Sequence, residues 1–348
     1  MSRKKITKKQ RRKRKLILFA VEILILLILL LCVFVWLKLG KIDTQQLDEE
    51  NMVVNELESD EGYTTVAIFG LDNRSNGKLE RGNSDVIMVG NINNKTKEVQ
   101  LCSIYRDTYM DRGDEDYGKA NGAYQKGGPE KAISMLNKNL DLGITKYVTV
   151  DFKAVTETID LLGGVELDIT EDELQWMNSY IETTADVTGK KAKFISKAGT
   201  QLCDGTQATA YARIRYTKGD DFKRAERQRI VIEKMFEKAK KTKVSTLNKI
   251  IDSVFEDIST NFTQTEMLSM AASVFDYTLD ETKGFPFEKE TKTLGKKGSL
   301  VIPCDLESNV TQLHMYLYND DSYEASKTVQ KISDKIINES GCRAGDGF

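Results

Sequence analysis

The apolar residues of this chain fall into three kinds of pattern, and each predicts a different element. The first is continuous. Leu16 to Leu37 is apolar apart from Glu22, and at ~1.5 Å per residue a helix of that length reaches about 33 Å, enough to cross a hydrocarbon core of about 30 Å. The second kind is short and bounded by turn residues. Thr65-Val66-Ala67-Ile68-Phe69-Gly70, Asp85 to Ile92 and Glu98 to Ile104 read as buried strands, the last two joined as a hairpin by Asn93-Asn94-Lys95-Thr96. Tyr147 to Phe152 and Val165 to Ile169 repeat the strand pattern. The third kind steps by three and four. Gly127-Gly128-Pro129 announces a helix with Ile133, Leu136 and Leu140 on one face, and Phe152, Val155, Ile159 and Leu162 mark another that stops at Gly163-Gly164.

This alternation predicts an α/β fold: an α-β-α sandwich around a mixed central sheet, preceded by one transmembrane helix. The stretch from Glu171 to Gly205 has no clear period and is expected to form a flap. Helical patterns dominate after Asp221, with short strands expected near Phe285 and from Leu300 to Ile302. Ordered structure is expected to begin near Tyr63, with no repeat or compositional break thereafter.

Charge fixes the expected topology. The net charge of −2 over 348 residues hides a polarised distribution. The first fifteen residues hold ten Lys/Arg and no acid, leaving 41 basic against 53 acidic groups in the rest. Residues 1–15 are accordingly expected as a cytoplasmic basic tail and 16–37 as the membrane helix. An acidic extracellular stalk then spans 38–62 and an extracellular domain 63–348, which makes the chain a single-pass protein of the cell membrane. Trp36-Leu37-Lys38-Leu39 offers no small-residue cleavage site, so the anchor is read as uncleaved. An acidic body argues against nucleic acid as its partner. Cys102, Cys203, Cys304 and Cys342 follow the span without metal-type spacing. Cys304 and Cys342 flank helical segments and are one candidate pair; free buried thiols are the alternative.

Arginine is the most informative chemical signal. Ten arginines lie outside the basic tip, against 31 lysines, and five of the ten fall within seventeen residues: Arg213, Arg215, Arg224, Arg227 and Arg229. Guanidinium is favoured over ammonium where phosphate or carboxylate is gripped by two parallel hydrogen bonds. Arg213 and Arg215 would point to one side of an extended segment. Asp220 or Asp221 would cap the next helix, with Arg224, Arg227 and Gln228 on one face near its anion-attracting start. A solvated basic helix paired with Glu226 and Glu233 is the competing reading. Earlier, Asp72 follows the first strand and Asp85 opens the second. Adjacent strands would bring these carboxylates together, where they either hold a hard divalent ion or serve turn chemistry alone. Arg106-Asp107 follows the third strand. His314 is the only histidine, expected as a partly buried spacer, so a chemistry built on arginines, carboxylates and a metal, as in phosphoryl transfer, fits better than a His-dependent triad.

Taken together, the motifs resemble the LytR-CpsA-Psr family of cell-wall enzymes. The resemblance is carried by Val66-Ala67-Ile68-Phe69-Gly70-Leu71-Asp72-Asn73-Arg74, Asn83-Ser84-Asp85-Val86-Ile87-Met88 and Ser103-Ile104-Tyr105-Arg106-Asp107-Thr108. It continues through Lys119-Ala120-Asn121-Gly122-Ala123-Tyr124, Leu161-Leu162-Gly163-Gly164-Val165 and Ala210-Tyr211-Ala212-Arg213-Ile214-Arg215-Tyr216, and ends at Arg224-Ala225-Glu226-Arg227-Gln228. It implies a phosphotransferase that moves a teichoic acid or capsular polysaccharide from a polyprenyl-pyrophosphate carrier onto a muramic acid hydroxyl of peptidoglycan. Arg106, Arg213 and Arg215 would act in catalysis and, with Arg224, Arg227 and Gln228, bind the pyrophosphate. Asp72 and Asp85 would organise magnesium or manganese, and helices such as Phe152 to Leu162 would line an apolar tunnel for the lipid. Tyr105 stands where such proteins usually have proline, and residues 171–205 match poorly. A non-catalytic scaffold for anionic wall polymers and a polyprenyl-pyrophosphate hydrolase are the alternatives.

Overall fold

The computed structural model describes residues 61–72, 82–243, 258–262 and 273–348, with positions 43, 44, 47, 52–55, 79, 246, 250, 253, 266 and 270. The basic tail at 1–15, the expected span at 16–37 and motif residues Asn73 and Arg74 lie outside the described residues. Among those described, no helix is long and apolar enough to cross a membrane.

Residues 43–348 form one compact unit built on a mixed sheet in the order β1-β10-β7-β2-β3-β4-β11, with β12 also pairing with β4. The expected hairpin is β3 (Ser84–Asn93) and β4 (Glu98–Ile104); β2 (Tyr63–Leu71) pairs antiparallel with β3 and parallel with β7 (Lys146–Asp151). Short strands complete it: β1 (Asp43–Thr44), β10 (Ile258–Thr260), β11 (Thr278–Leu279) and β12 (Lys283–Phe285), while β5 (Tyr109–Asp111) and β6 (Tyr117–Lys119) form a separate antiparallel ribbon. Gly70 is required at the end of β2, because a Cβ there would sit 2.8 Å from that of Val86. The pairing register shifts between Gly70 and Leu71, which sets where the two strand ends open.

Alternation along β2 sends Ala67, Phe69 and Leu71 to one face. They join a buried core with Ile133, Leu136 and Leu140 of α1 (Gly122–Leu140), Val310, Leu313 and Leu317 of α6 (Leu306–Tyr318), and Val329, Ile332 and Ile336 of α7 (Lys327–Ser340). The chain breaks helical geometry at Gly127 and Gly128 and resumes at Pro129, as the Gly-Gly-Pro signal requires. A second core joins α2 (Phe152–Leu161), α3 (Glu171–Thr188), α4 (Gly205–Arg213) and α5 (Asp220–Ala239) to the ribbon of β8 (Val165–Ile169) and β9 (Gly199–Cys203). Gly205 lets α4 meet α2 closely: a Cβ there would lie 2.0 Å from the Thr156 carbonyl oxygen.

Three expectations change. The region 171–205 is not a flap: it opens as α3, whose N-terminus carries a capping box in which Thr170 and Glu173 exchange side-chain and backbone bonds. Val165–Ile169 pairs with β9 rather than with the main sheet. Structure also begins before Tyr63. Asn137 of α1 donates to the Val53 carbonyl at 2.7 Å, Asn55 donates to the Asn137 carbonyl at 2.8 Å, and Leu47 and Met52 pack on the core. Part of the expected stalk is therefore a strap on the domain.

His314 is fully buried rather than partly so. Its ring stacks on Tyr323 at 3.7 Å and its Nε2 lies 2.9 Å from the Leu140 carbonyl, while burial lowers its pKa and keeps it neutral. Cys102, Cys203, Cys304 and Cys342 are buried free thiols, so Cys304 and Cys342 are not bonded as a disulfide.

Asn137 also spans the α1–β7 turn, accepting from the Ile144 amide and donating to the Ile144 carbonyl, both at 2.9 Å. Asn137→Ala strands these buried groups and is expected to destabilise the fold by about 2–4 kcal/mol, read as a lower midpoint in urea with an unchanged slope.

Candidate active site

The strand ends and helix starts open a cleft of about 580 Å³. It is lined by Asp72 and Asn83 from the β2 and β3 ends, Asp85 and Val86 of β3, Arg106, Phe152 of α2, Tyr180 of α3, Arg213, Arg215, Tyr216, and Arg224 and Gln228 of α5. The strand adjacency that Asp72 and Asp85 needed is present, and both residues face the same space. Val86, Phe152, Tyr180 and Tyr216 supply its apolar surface.

Two carboxylates organise the cations. Asp85 accepts from Arg106 Nη1 at 2.8 Å with one oxygen and from Arg215 Nη2 at 2.9 Å with the other. Asp221 accepts from Arg106 Nε at 2.9 Å and pairs with Arg224 Nη2 at 3.4 Å and Arg215 Nε at 4.0 Å. Arg213 turns inward: its Nη1 donates to Thr184 Oγ1 at 2.7 Å, and its guanidinium lies 4.5 Å from the centre of the Phe152 ring. Gln228 Nε2 is 3.4 Å from the Ala212 carbonyl.

Burial works against the charges of Arg106, Asp221 and Arg224, and the network decides the outcome. It disfavours the Arg106 cation, yet Asp85 and Asp221 more than offset this and hold the guanidinium above its ordinary value. Asp221 is likewise opposed by burial but held below the usual carboxylate range by Arg224 and Arg106. For Arg224 burial wins, with Asp221 offsetting only part of it, and the guanidinium falls to about 10 while remaining charged at neutral pH. Its Nε and Nη1 are buried without hydrogen-bond partners among the described residues. Buried donors in that state cost free energy until an acceptor arrives.

Several sequence expectations are corrected. Arg213-Ile214-Arg215 is not extended: the Asp204–Gln207 capping box starts α4, which runs through Arg213, and Arg215 follows its end. The two arginines still reach one cleft, by different paths. Neither Asp220 nor Asp221 caps α5. Its N-cap is Gly219, with no side-chain cap bond, and Asp221 turns to the arginines instead. The helix start is therefore occupied by acid rather than open to an anion. Arg227 does not line the cleft. Its guanidinium is spent on Glu173 at 2.6 Å, Thr217 Oγ1 at 2.6 Å and the Ile214 carbonyl at 3.1 Å, tying α5 to α3. The competing pairing of this helix with Glu226 and Glu233 is not seen at the site; Glu226 meets Lys223, and Glu233 accepts from Thr282. Asp221 is the site residue that the capping reading missed, although its position three before Arg224 was a signal.

For the metal, the donor set is two carboxylates in one cleft, and no cluster of three or more His, Cys, Asp or Glu is placed to hold an ion among the described residues. Two carboxylates suit a magnesium-type ion that completes its shell with phosphate oxygens and water. Since both Asp85 oxygens already hold arginines, such an ion would have to share or displace one of those contacts.

The profile of the LytR_cpsA_psr family matches residues 33–328. The chain belongs to this family. Among curated relatives, it is 30% identical over 198 residues to the polyisoprenyl-teichoic acid–peptidoglycan teichoic acid transferase TagV of Bacillus subtilis strain 168, covering 56% of this chain and 48% of TagV. It is 30% identical over 236 residues to a transferase of the same description, TagU of Bacillus cereus strain AH820, covering 66% of this chain and 70% of TagU. The matched stretch thus spans only about half of TagV. Among solved structures, TagT bound to LI-WTA superposes with a TM-score of 0.57 at 18% identity, covering 85% of this chain and 99% of that one, a likeness of fold.

The Arg227–Glu173 pair yields a structural prediction, since both side chains are under a tenth exposed. Arg227→Ala leaves a buried carboxylate unpaired and is expected to cost about 3–5 kcal/mol. Burial opposes the Glu173 charge, but bonds from Thr170 and Arg227 hold it below its ordinary value. Its stabilising contribution is therefore present above the unfolded glutamate pKa of about 4.3 and lost as pH falls through the lower folded value. Melting temperatures should drop less between pH 6 and pH 3 in Glu173→Gln than in wild type.

Proposed function

We propose that this chain transfers an anionic wall glycopolymer from a polyprenyl-pyrophosphate carrier onto a peptidoglycan hydroxyl, working outside the cell from a membrane anchor. The observation that carries the reading is Arg224, whose buried, unpartnered Nε and Nη1 share a cleft with Arg106, Arg213 and Arg215. Four guanidinium groups line the cleft against two carboxylates, Asp72 and Asp85, so it favours a polyanion. A volume near 580 Å³ suits a pyrophosphate with an adjoining sugar. The names of TagV and TagU, which describe teichoic acid transfer to peptidoglycan, support the same substrate class.

In this mechanism the arginines bind the two phosphates and hold the sugar-linked phosphorus toward the incoming hydroxyl. The hydroxyl oxygen forms a bond to that phosphorus, the bond to the bridging oxygen breaks, and polyprenyl phosphate departs with the hydroxyl's proton on its oxygens. Arg106 and Arg215, already oriented by Asp85, neutralise charge as it gathers on the leaving phosphate. Asp72 and Asp85 are the residues that would hold magnesium or manganese, which would neutralise charge across both phosphates. Phe152, Val86 and Tyr180 give an apolar wall where the first isoprene units would leave the headgroup.

Arg106→Ala and Arg215→Ala are each expected to lower transfer about 10²–10³-fold with melting temperatures within a few degrees of wild type. The assay uses full-length protein in liposomes with lipid-linked polymer and peptidoglycan. Wild-type rates in both variants would refute the assignment. Free polymer phosphate in place of a peptidoglycan adduct would identify a hydrolase, and binding without either product a scaffold.

A further inference from the structure

Beside the arginine cleft lies another cation, held by rings rather than carboxylates. Lys289 opens β13 (Lys289–Thr293), and its Nζ sits 4.9 Å from the centre of the Phe348 ring, 5.3 Å from that of Phe222 and 5.6 Å from that of Tyr105. Among the described residues its side chain makes one hydrogen bond, a long one of 3.4 Å to the Phe287 carbonyl. Burial lowers its pKa with no neighbouring charge offsetting the shift. The rings also touch each other edge to face: Tyr105 and Phe222 at 4.7 Å and 83°, Phe222 and Phe348 at 5.8 Å and 85°.

The place of these rings in the chain is what matters. Tyr105 immediately precedes Arg106, and Phe222 immediately follows Asp221. The aromatic contact therefore runs alongside the 2.9 Å Arg106–Asp221 ion pair and joins the same two segments. One of them needs support. The start of α5 has no side-chain cap, and Gly219 and Asp220 both lie at positive φ, 99° and 42°. Phe348 is itself anchored, its amide donating to the Lys289 carbonyl at 3.0 Å while the Gly347 amide donates to Glu288 at 3.1 Å.

We propose that Lys289 and the rings of Tyr105, Phe222 and Phe348 form a positioning device that clamps the segments bearing Arg106 and Asp221 and so sets the affinity of the anion cleft. This rests on the reading of that cleft as a pyrophosphate site. A half-buried ammonium attracts ring faces more strongly than a fully exposed one, and three rings around one charge link β13, the end of β4 and the start of α5.

The test titrates inorganic pyrophosphate into full-length protein in detergent micelles by calorimetry. Lys289→Gln and Phe348→Ser are each expected to weaken binding about fivefold to tenfold, and Lys289→Arg to stay within about twofold of wild type. Phe348→Ser keeps every charge and alters a ring that is 64% exposed, so it separates the clamp from simple loss of a nearby cation and should melt close to wild type. Unchanged affinity in Phe348→Ser and Lys289→Gln, with binding lost in Arg215→Ala, overturns the clamp and leaves the pyrophosphate site standing. Arg215→Ala binding like wild type overturns the site and the clamp together. Lys289→Arg as weak as Lys289→Gln overturns the role given to the charge over the rings.

Discussion

The candidate site depends on one carboxylate with two masters. Asp85 spends one oxygen on Arg106 and the other on Arg215, so two like-charged side chains far apart in the sequence are held on one carboxylate. Without it, guanidinium groups that close would repel one another across a partly desolvated space. Asp221 repeats the device from the helix side, reaching Arg106, Arg215 and Arg224. The backbone is arranged to make this possible. Gly70 allows β2 and β3 to approach, the register shift opens their ends, and Gly205 brings α4 close to α2, so that Arg213 and Arg215 arrive at the mouth of the sheet.

Preorganisation of this kind has a cost, and the structure shows where it falls. Arg224 keeps two donors buried and unsatisfied, the start of α5 forgoes a cap, and Asp220 is held at positive φ. Each feature weakens the protein locally, and under the proposed function the Arg224 donors are the ones that phosphate oxygens would satisfy. Stability is supplied elsewhere. The apolar face of β2 packs against α1, α6 and α7, and Arg227 with Glu173 bonds α5 to α3 from behind the cleft. Arg227 and Arg224 are three residues apart on one helix, yet one holds the fold while the other faces the cleft.

Much of this was legible in the sequence because local patterns and tertiary contacts agree. The strands at β2, β3, β4 and β7, the hairpin and the Gly-Gly-Pro helix start follow from alternation and turn chemistry. The arginine excess marked a region that folds together, and Asp85, Arg106, Arg213, Arg215, Arg224 and Gln228 line one cleft. The misreadings share a cause: a residue with two available roles. Asp221 had the spacing of a cap but was claimed by arginines across space, and Arg227 had the spacing of a ligand but was claimed by Glu173. Thr170-Glu171-Asp172-Glu173 carried a readable capping signal, masked because the apolar residues behind it are sparse. The proposed Lys289 clamp was out of reach, since its four members lie far apart in sequence and share no motif.

The buried thiols carry a consequence of a different kind. Burial pushes Cys102, Cys203 and Cys304 up to about 12, so at neutral pH only about one in 10⁵ of each would be thiolate, the form that oxidants and alkylating reagents attack. The folded domain is thereby shielded from oxidative damage at these positions without a covalent cross-link. A cysteine introduced on its surface would outcompete all three for a maleimide dye.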